Sequence, residues 1–323
     1  MHILIVTHTP IGSTKGNRIT AERWSGFLRE LGHDVTVASE IPSRKFDCLV
    51  ALHATHSAAT IKSFQAVHPN RPVLLCLTGT DLHLDLQGKR GEESLRLARE
   101  SIARCDRLIL LEPESKKLLA AEHQAKVVVI VQSAIPIAAE DRRPLNENAY
   151  EICVVGHLRD VKDPFLAAQA SQHLPAKSRI QILHMGAALN ESMRQQAEAA
   201  MERFPRYTWL GAKSHDETQA MMASCRAMIL SSKTEGAPSV LSEAIVNGVP
   251  VLATRIPATI GLLGADYPGL FRVGDVQALC QLMTRVENDR KFYSRLVDAI
   301  DLLKSDFAPM KERALIEAIV APH

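Results

Sequence analysis

Ala227-Met-Ile-Leu230, then Ser231-Ser-Lys-Thr-Glu235-Gly-Ala-Pro-Ser-Val-Leu-Ser-Glu243, then Gly248 and Val249-Pro-Val-Leu-Ala253, read in sequence as strand, loop, helix and strand. A short apolar run, a polar loop and a helix closed by glycine before the next apolar run is the pattern of a parallel strand pair joined by a crossover helix. Pro238 suits the first helical turn, because it has no N–H to leave unpaired.

The same unit recurs along most of the chain. Strands are predicted over Ile3–Val6, Asp34–Ala38, Cys48–Leu52, Val73–Leu77, Leu108–Leu111 and Val127–Val131 in the first half. In the second half they fall at Ile152–Val155, Ile180–Leu183, Tyr207–Leu210, Ala227–Leu230, Val249–Ala253 and Gly269–Val273. The first-half runs are nearly all apolar, which implies sheets covered on both faces. A helix is predicted over Arg18–Leu31, where Ala21, Trp24, Ser25, Leu28 and Leu31 form one stripe and Gly32 ends it. The stretch from Ile135 to Tyr150 carries prolines, charges and asparagines and reads as a linker. Val276 to Ile319 reads as helical throughout. Two open α/β domains follow, 1–140 and 141–323, with ligands expected at strand carboxyl ends facing a cleft between them.

Composition narrows the function. The 323 residues, 46% hydrophobic and 23% charged with net charge +2, describe a globular chain with no dominant polybasic or acidic tail. Aromatics are only 4% of the residues, against a stacked nucleic-acid surface. The six cysteines never form C-x-x-C and read as reduced core residues. The first residues lack the charged head of a secretory signal, and no apolar run is long enough to span a bilayer. The expectation is a cytoplasmic protein without stable membrane association. G-x-G, G-x-x-x-x-G-K-[ST], G-x-S-x-G and H-E-x-x-H are all missing from the sequence, against dinucleotide, P-loop, hydrolase and zincin readings. Asp-x-Asp is missing too. Any bound diphosphate is therefore expected to be neutralised by cations and amides, with no metal.

Two segments carry candidate chemistry. Behind Glu235-Gly236-Ala237-Pro238, the amides of Ser239, Val240 and Leu241 would point out of a helix tip and meet an anion. Glu235 before the tip and Glu243 within the helix suit a hydroxyl-rich ligand; alternatively one steadies the dipole and the other faces solvent. After the strand ending at Val155, Gly156-His157-Leu-Arg159-Asp-Val-Lys162-Asp163 offers a close turn and cationic donors, or a merely solvated loop. In the first half, Thr78-Gly79-Thr80-Asp81 ends a strand; Asp81 reads either as a ligand to a sugar hydroxyl or a basic group, or as a helix N-cap. His53 and His56 lack an apparent third metal ligand and read as ordinary polar residues, although His53 could line a pocket.

The E-x7-E after a strand, the G-x5-K loop and a C-terminal helix that could cross back resemble the GT-B glycosyltransferases of the GT4 type, across essentially the whole chain. The resemblance implies a GT-B fold: two Rossmann-like domains with the last helix, about 305–323, packing on the first. It implies that Lys162 neutralises the diphosphate, Glu235 contacts the transferred sugar and Glu243 holds the ribose. The amides after Glu235 would bind phosphate and sugar, and Gly186 and Lys213 would shape the base pocket. Many members carry arginine directly after the loop glycine; here His157 stands there, and Arg159 is expected to supply the charge.

A narrower resemblance runs through Thr9-Pro-Ile-Gly12-Ser-Thr-Lys15-Gly16-Asn17-Arg18-Ile-Thr20, Leu77-Thr-Gly-Thr-Asp81, Gly156–Pro164 and Gly261-Leu-Leu-Gly-Ala-Asp-Tyr-Pro268. These segments are similar to the selenosugar synthases of selenoneine biosynthesis, which join a UDP-sugar, UDP-N-acetylglucosamine or UDP-glucose, to selenium from selenophosphate. The resemblance implies acceptor binding by Gly12, Lys15, Gly16, Asn17, Arg18, Thr20, Thr80 and Asp81. Lys15 and Arg18, with Arg23 further on, suit a small anion, or are merely solvated. The alternatives are a glycosyltransferase with a saccharide or lipid hydroxyl acceptor, a noncatalytic nucleotide-sugar-binding protein and an acceptor-free epimerase.

Overall fold

The computed structural model describes residues 1–13 and 16–321; Lys15 lies outside the described residues. Contacts divide the chain into two units, Met1–Gln132 with the chain from Pro309 onward, and Ser133–Ala308. In the first unit, β1 (His2–Val6), β2 (Asp34–Ala38), β3 (Cys48–Leu52), β4 (Val73–Leu77), β5 (Arg107–Leu110) and β6 (Val127–Val129) form one sheet ordered β2-β1-β3-β4-β5-β6. Every pairing is parallel. β3 and β4 are buried at every position, so their unbroken apolar runs are covered on both faces. The strand order turns back at β1, which opens a crevice beyond the carboxyl ends of β1 and β3.

The helix Gly16–Glu30 packs Ala21, Trp24 and Leu28 inward, as the stripe requires, and Gly32 with φ 83° ends it. Against it lies the helix Pro309–Val320. Trp24 Nε1 donates to Glu312 Oε1 at 2.7 Å, and Arg23 Nε stands 3.3 Å from Glu312 Oε2.

In the second unit, β7 (Tyr150–Val155), β8 (Ile180–Met185), β9 (Tyr207–Trp209), β10 (Ala227–Leu230), β11 (Val251–Thr254) and β12 (Leu270–Phe271) give the order β12-β11-β10-β7-β8-β9. All pairings are again parallel. Here the order reverses between β7 and β10, so the ligand crevice of this sheet lies where the loops after those two strands meet. With helices over both sheets, each unit is a Rossmann-like α/β layer structure, as the resemblance implied.

The structure corrects several boundaries. The division falls after Gln132 rather than at 140, because the presumed linker is strapped to the second unit. Ala134 N donates to Phe307 O at 3.1 Å and Ile137 N to Asn247 Oδ1 at 3.0 Å, while Arg143 pairs with Glu151. The C-terminal helical run is broken into Val276–Asn288, Arg290–Leu303 and Pro309–Val320. Asp289 caps the second of these by accepting from Phe292 N at 3.0 Å. All six cysteines are buried thiols. No helix among the described residues is long and apolar enough to cross a membrane.

Candidate active site

The loop after β7 makes a single 3₁₀ turn at Asp160–Lys162 and leaves through Asp163 at φ 46°. The loop after β10 is stitched to it. Lys233 N donates to Val161 O at 2.8 Å, and Ser231 Oγ donates to Lys162 O at 2.9 Å and Asp163 O at 3.0 Å. Across this seam the Lys162 ammonium forms an ion pair with Glu235, whose Oε1 also accepts from Ser232 Oγ. Both side chains are only partly open to solvent, 25% for Lys162 and 12% for Glu235, so their mutual field is weakly screened. The two principal residues expected from sequence are thus in contact at the point where the strand order reverses.

Gly236 and Ala237 continue the half-buried loop into the helix Ser239–Val246. Pro238 is the N-cap, one position earlier than the sequence suggested, and its carbonyl accepts from Leu241 N at 2.9 Å. The Leu241 amide is therefore engaged in the first turn, and the amides of Ser239 and Val240 head the helix, where the dipole favours an anion. Glu243 lies four residues beyond Ser239 and hence on the same helix face.

His157 is turned away from a phosphate role. Its Nδ1 accepts from Ala187 N at 3.1 Å, and burial, with the charges of Arg159 and Lys162, holds its pKa below the usual value. A neutral imidazole bonded to the backbone fixes the loop after β8 against the loop after β7. Gly186 sits in that junction: a Cβ there would fall 1.9 Å from the Gly156 carbonyl oxygen, so only glycine allows the approach. Arg159 is exposed beside His157, and Lys213 is exposed next to the Ser214–Glu217 capping box, in the loop after edge strand β9. The structure brings Lys162 and Glu235 together but leaves Lys213 two strands from their crevice.

In the first unit the expected acceptor residues divide. Gly12, at φ 77°, and Gly16, the first residue of the first helix, are exposed, and Asn17 is half-buried in that helix. Arg18 is buried and bonded to Glu22, its Nε 2.7 Å from Oε1, yet it lines a cavity of about 420 Å³ with Thr9, Pro10, Ile11 and Glu40. Thr20 is corrected: its hydroxyl donates to Gly16 O at 2.9 Å and accepts from Gln132 Nε2, which leaves it structural. Arg23 turns to Glu312 instead of a ligand loop.

Asp81 is corrected as well. It is 0% exposed, and its carboxylate accepts from the amides of Ala54, Thr78, Gly79 and Leu82 at 2.9–3.0 Å. Burial raises its pKa against the pull of those four bonds. It clamps backbone and offers no lone pair to a sugar, and Thr80 occupies the N-cap position.

Thr80 Oγ1 is 2.9 Å from His53 Nε2. His53 closes β3 with φ 79°, a conformation that a non-glycine residue keeps only when its surroundings hold it. Its ring lies 4.2 Å from that of His56 and 5.5 Å from that of His8, and His8 and His56 are 4.0 Å apart. Burial, reinforced by His56, lowers the His53 pKa to about 4. The three rings occupy the crevice beyond β1 and β3. No group of three His, Cys, Asp or Glu side chains among the described residues is arranged to hold a metal ion.

Residues 138–301 match the family model of glycosyl transferases, group 1. The chain belongs to this family. A curated relative, glycosyltransferase 1 domain-containing protein 1 of Xenopus tropicalis, is 23% identical over 303 residues, 87% of each chain. Among solved structures, HepE from Anabaena in complex with UDP and glucose superposes with a TM-score of 0.77 at 16% identity, over 99% of both chains. Sucrose-phosphate synthase from Thermosynechococcus elongatus gives 0.80 at 15% identity, covering 98% of this chain and 97% of that one.

Several residues around the two crevices escaped sequence reasoning. Ser231 and Ser232, which hold Lys162 and Glu235, sit in a loop that reads as a plain spacer. His184 Nε2 bonds Gly156 O at 3.0 Å, His184 Nδ1 meets Tyr207 OH at 2.8 Å, and Trp209 Nε1 donates to Gly186 O at 2.8 Å. A histidine inside a buried strand was the available signal for the first of these. His8, two residues past β1, gave none.

Proposed function

We propose that this glycosyltransferase transfers a hexose, N-acetylglucosamine or glucose, from a UDP-sugar to selenophosphate and so forms a carbon–selenium bond. The observation that carries the reading is the Lys162–Glu235 pair beside the tip of helix Ser239–Val246, at the strand-order reversal of the second sheet. There Lys162 and the Ser239 and Val240 amides face the diphosphate, with Arg159 as an outer cation. Glu235 receives the sugar hydroxyls and Glu243 the ribose, as in the family the motifs resemble. The charge that develops on the departing UDP is neutralised by these groups with no metal.

Selenophosphate is an anion whose selenium is already a nucleophile, so the acceptor side needs positioning and charge compensation more than a strong base. The selenium lone pair forms the bond to the anomeric carbon, the C–O bond to the β-phosphate breaks, and UDP leaves with that electron pair. Loss of the phosphoryl group from selenium is a separate hydrolysis. In the first unit, the Arg18 cavity and the Thr80–His53 pair supply the acceptor groups, with Gly12, Gly16 and Asn17 in the loop and helix start beside them. Support for selenophosphate is the similarity in four separated segments; support for UDP is Lys162 beside the tip of helix Ser239–Val246 and the UDP bound by HepE.

The test incubates the protein with UDP-N-acetylglucosamine or UDP-glucose, with and without selenophosphate, and follows UDP and selenium-bearing products by mass spectrometry. A selenosugar that appears only with both substrates is the expected result. UDP release that depends on an alcohol and ignores selenophosphate would replace the acceptor, and UDP-sugar that never binds would remove the reading altogether.

A further inference from the structure

At the β12 edge of the second sheet, the loops after β11 and β12 and the helix Val276–Asn288 border an open cavity of about 380 Å³. Three arginines from these three elements line it: Arg255, Arg272 and Arg285. Two are held in place by the protein. Arg255 Nη1 donates to Ala265 O at 2.9 Å, and the Arg285 guanidinium lies 3.8 Å from the centre of the Phe292 ring. Two carboxylates offset part of their charge. Asp275 lines the cavity but accepts from Ala278 N at 2.8 Å as the helix cap, and Asp289 reaches Arg285 only at 3.8 Å. Arg272 has no carboxylate partner among the described residues. Buried Phe271 and Leu282 supply an apolar wall.

Three exposed guanidinium groups around one concavity, against one lining carboxylate, give it a positive field that favours an anion. Planar forks of this kind match phosphate oxygens in pairs. We propose that the cavity is a second ligand site that takes a small phosphomonoester or inorganic phosphate. The Lys162–Glu235 crevice opens between β7 and β10, whereas this cavity lies by β11 and β12 and shares no lining residue with it. The site stands whether or not the donor is a UDP-sugar.

Titration calorimetry with inorganic phosphate, and in parallel with glycerol 3-phosphate, tests it at low salt, with and without UDP present. Binding that persists beside UDP is expected. Arg272→Gln should weaken it by about tenfold and Arg272→Glu by more, as for loss of one phosphate pair, while Lys162→Ala leaves it unchanged. Equal affinity in Arg272→Glu and the unaltered protein, no binding at millimolar phosphate, or loss of binding in Lys162→Ala overturns the proposal. Circular dichroism of the variants keeps the result interpretable, since Arg272 is exposed and its replacement leaves the core intact.

Discussion

A lysine paired with a glutamate in an anion crevice does two jobs, since each fixes the other's rotamer and each retains a charge for the ligand. Lys162→Ala removes the central cation, and UDP release from the donor is expected to slow by about 100-fold, as for loss of one preorganised donor; an unchanged rate would take Lys162 out of the reaction. Glu235→Gln removes a negative charge near the diphosphate. UDP should then bind at least as tightly while transfer slows, and weaker UDP binding in calorimetry would refute the assigned role. Gly186→Ala forces a methyl group onto the Gly156 carbonyl. A stability loss of about 1–3 kcal/mol is expected from the overpacking, read by urea denaturation, and a neutral result would show that the two loops separate freely. The identities of Lys162 and Glu235 were legible because they follow strand ends. That they share a site was implied by the resemblance; their direct ion pair was not legible, because 73 residues separate them and only the sheet order closes that gap.

Among the elements, the buried central strands β3 and β4 were easiest to read and the edge strand β12 hardest. β3 and β4 are buried at every position and coincide with their apolar runs, whereas the edge strand β12 retains two residues of the five suggested by Gly269–Val273. An edge strand has one pairing partner, so its length follows how far that partner extends rather than its own composition. The helix Pro309–Val320 illustrates a second limit. Its place against Gly16–Glu30 is fixed by Glu312, fully buried between Trp24 and Arg23. Glu312→Ala should cost about 3 kcal/mol, since a buried pair loses one partner, and thermal unfolding at matched pH measures it. If the midpoint does not move, the helix is held by its apolar face alone. Asp81 shows why a polar residue at a strand end is ambiguous: four amides converge on it from two loops, and local sequence records none of that geometry.

For the molecule as a whole, the buried histidines tie stability to pH. His53 and His184 both have pKa values lowered to about 4 by burial, against about 6.5 for an unfolded chain. Between those values the unfolded chain binds the protons that the folded one refuses, so stability falls as pH falls from about 6.5 to about 4. The limiting slope is about 1.4 kcal/mol per pH unit for each group. Above pH 7 neither contributes a slope. Urea unfolding between pH 7 and 4.5 should show the decline, and His184→Asn should flatten it; an identical slope in the variant would exclude His184 as a source. Sequence by itself determined the strand–helix alternation, the two-sheet architecture and the chemical types at the strand ends, because periodicity and burial act over a few residues. Only the tertiary structure decided which of those strand ends meet, that Lys162 faces Glu235, and that Thr20 and Asp81 are spent on backbone. Such pairings depend on strand order and loop closure, whose free energy comes from contacts far apart along the chain.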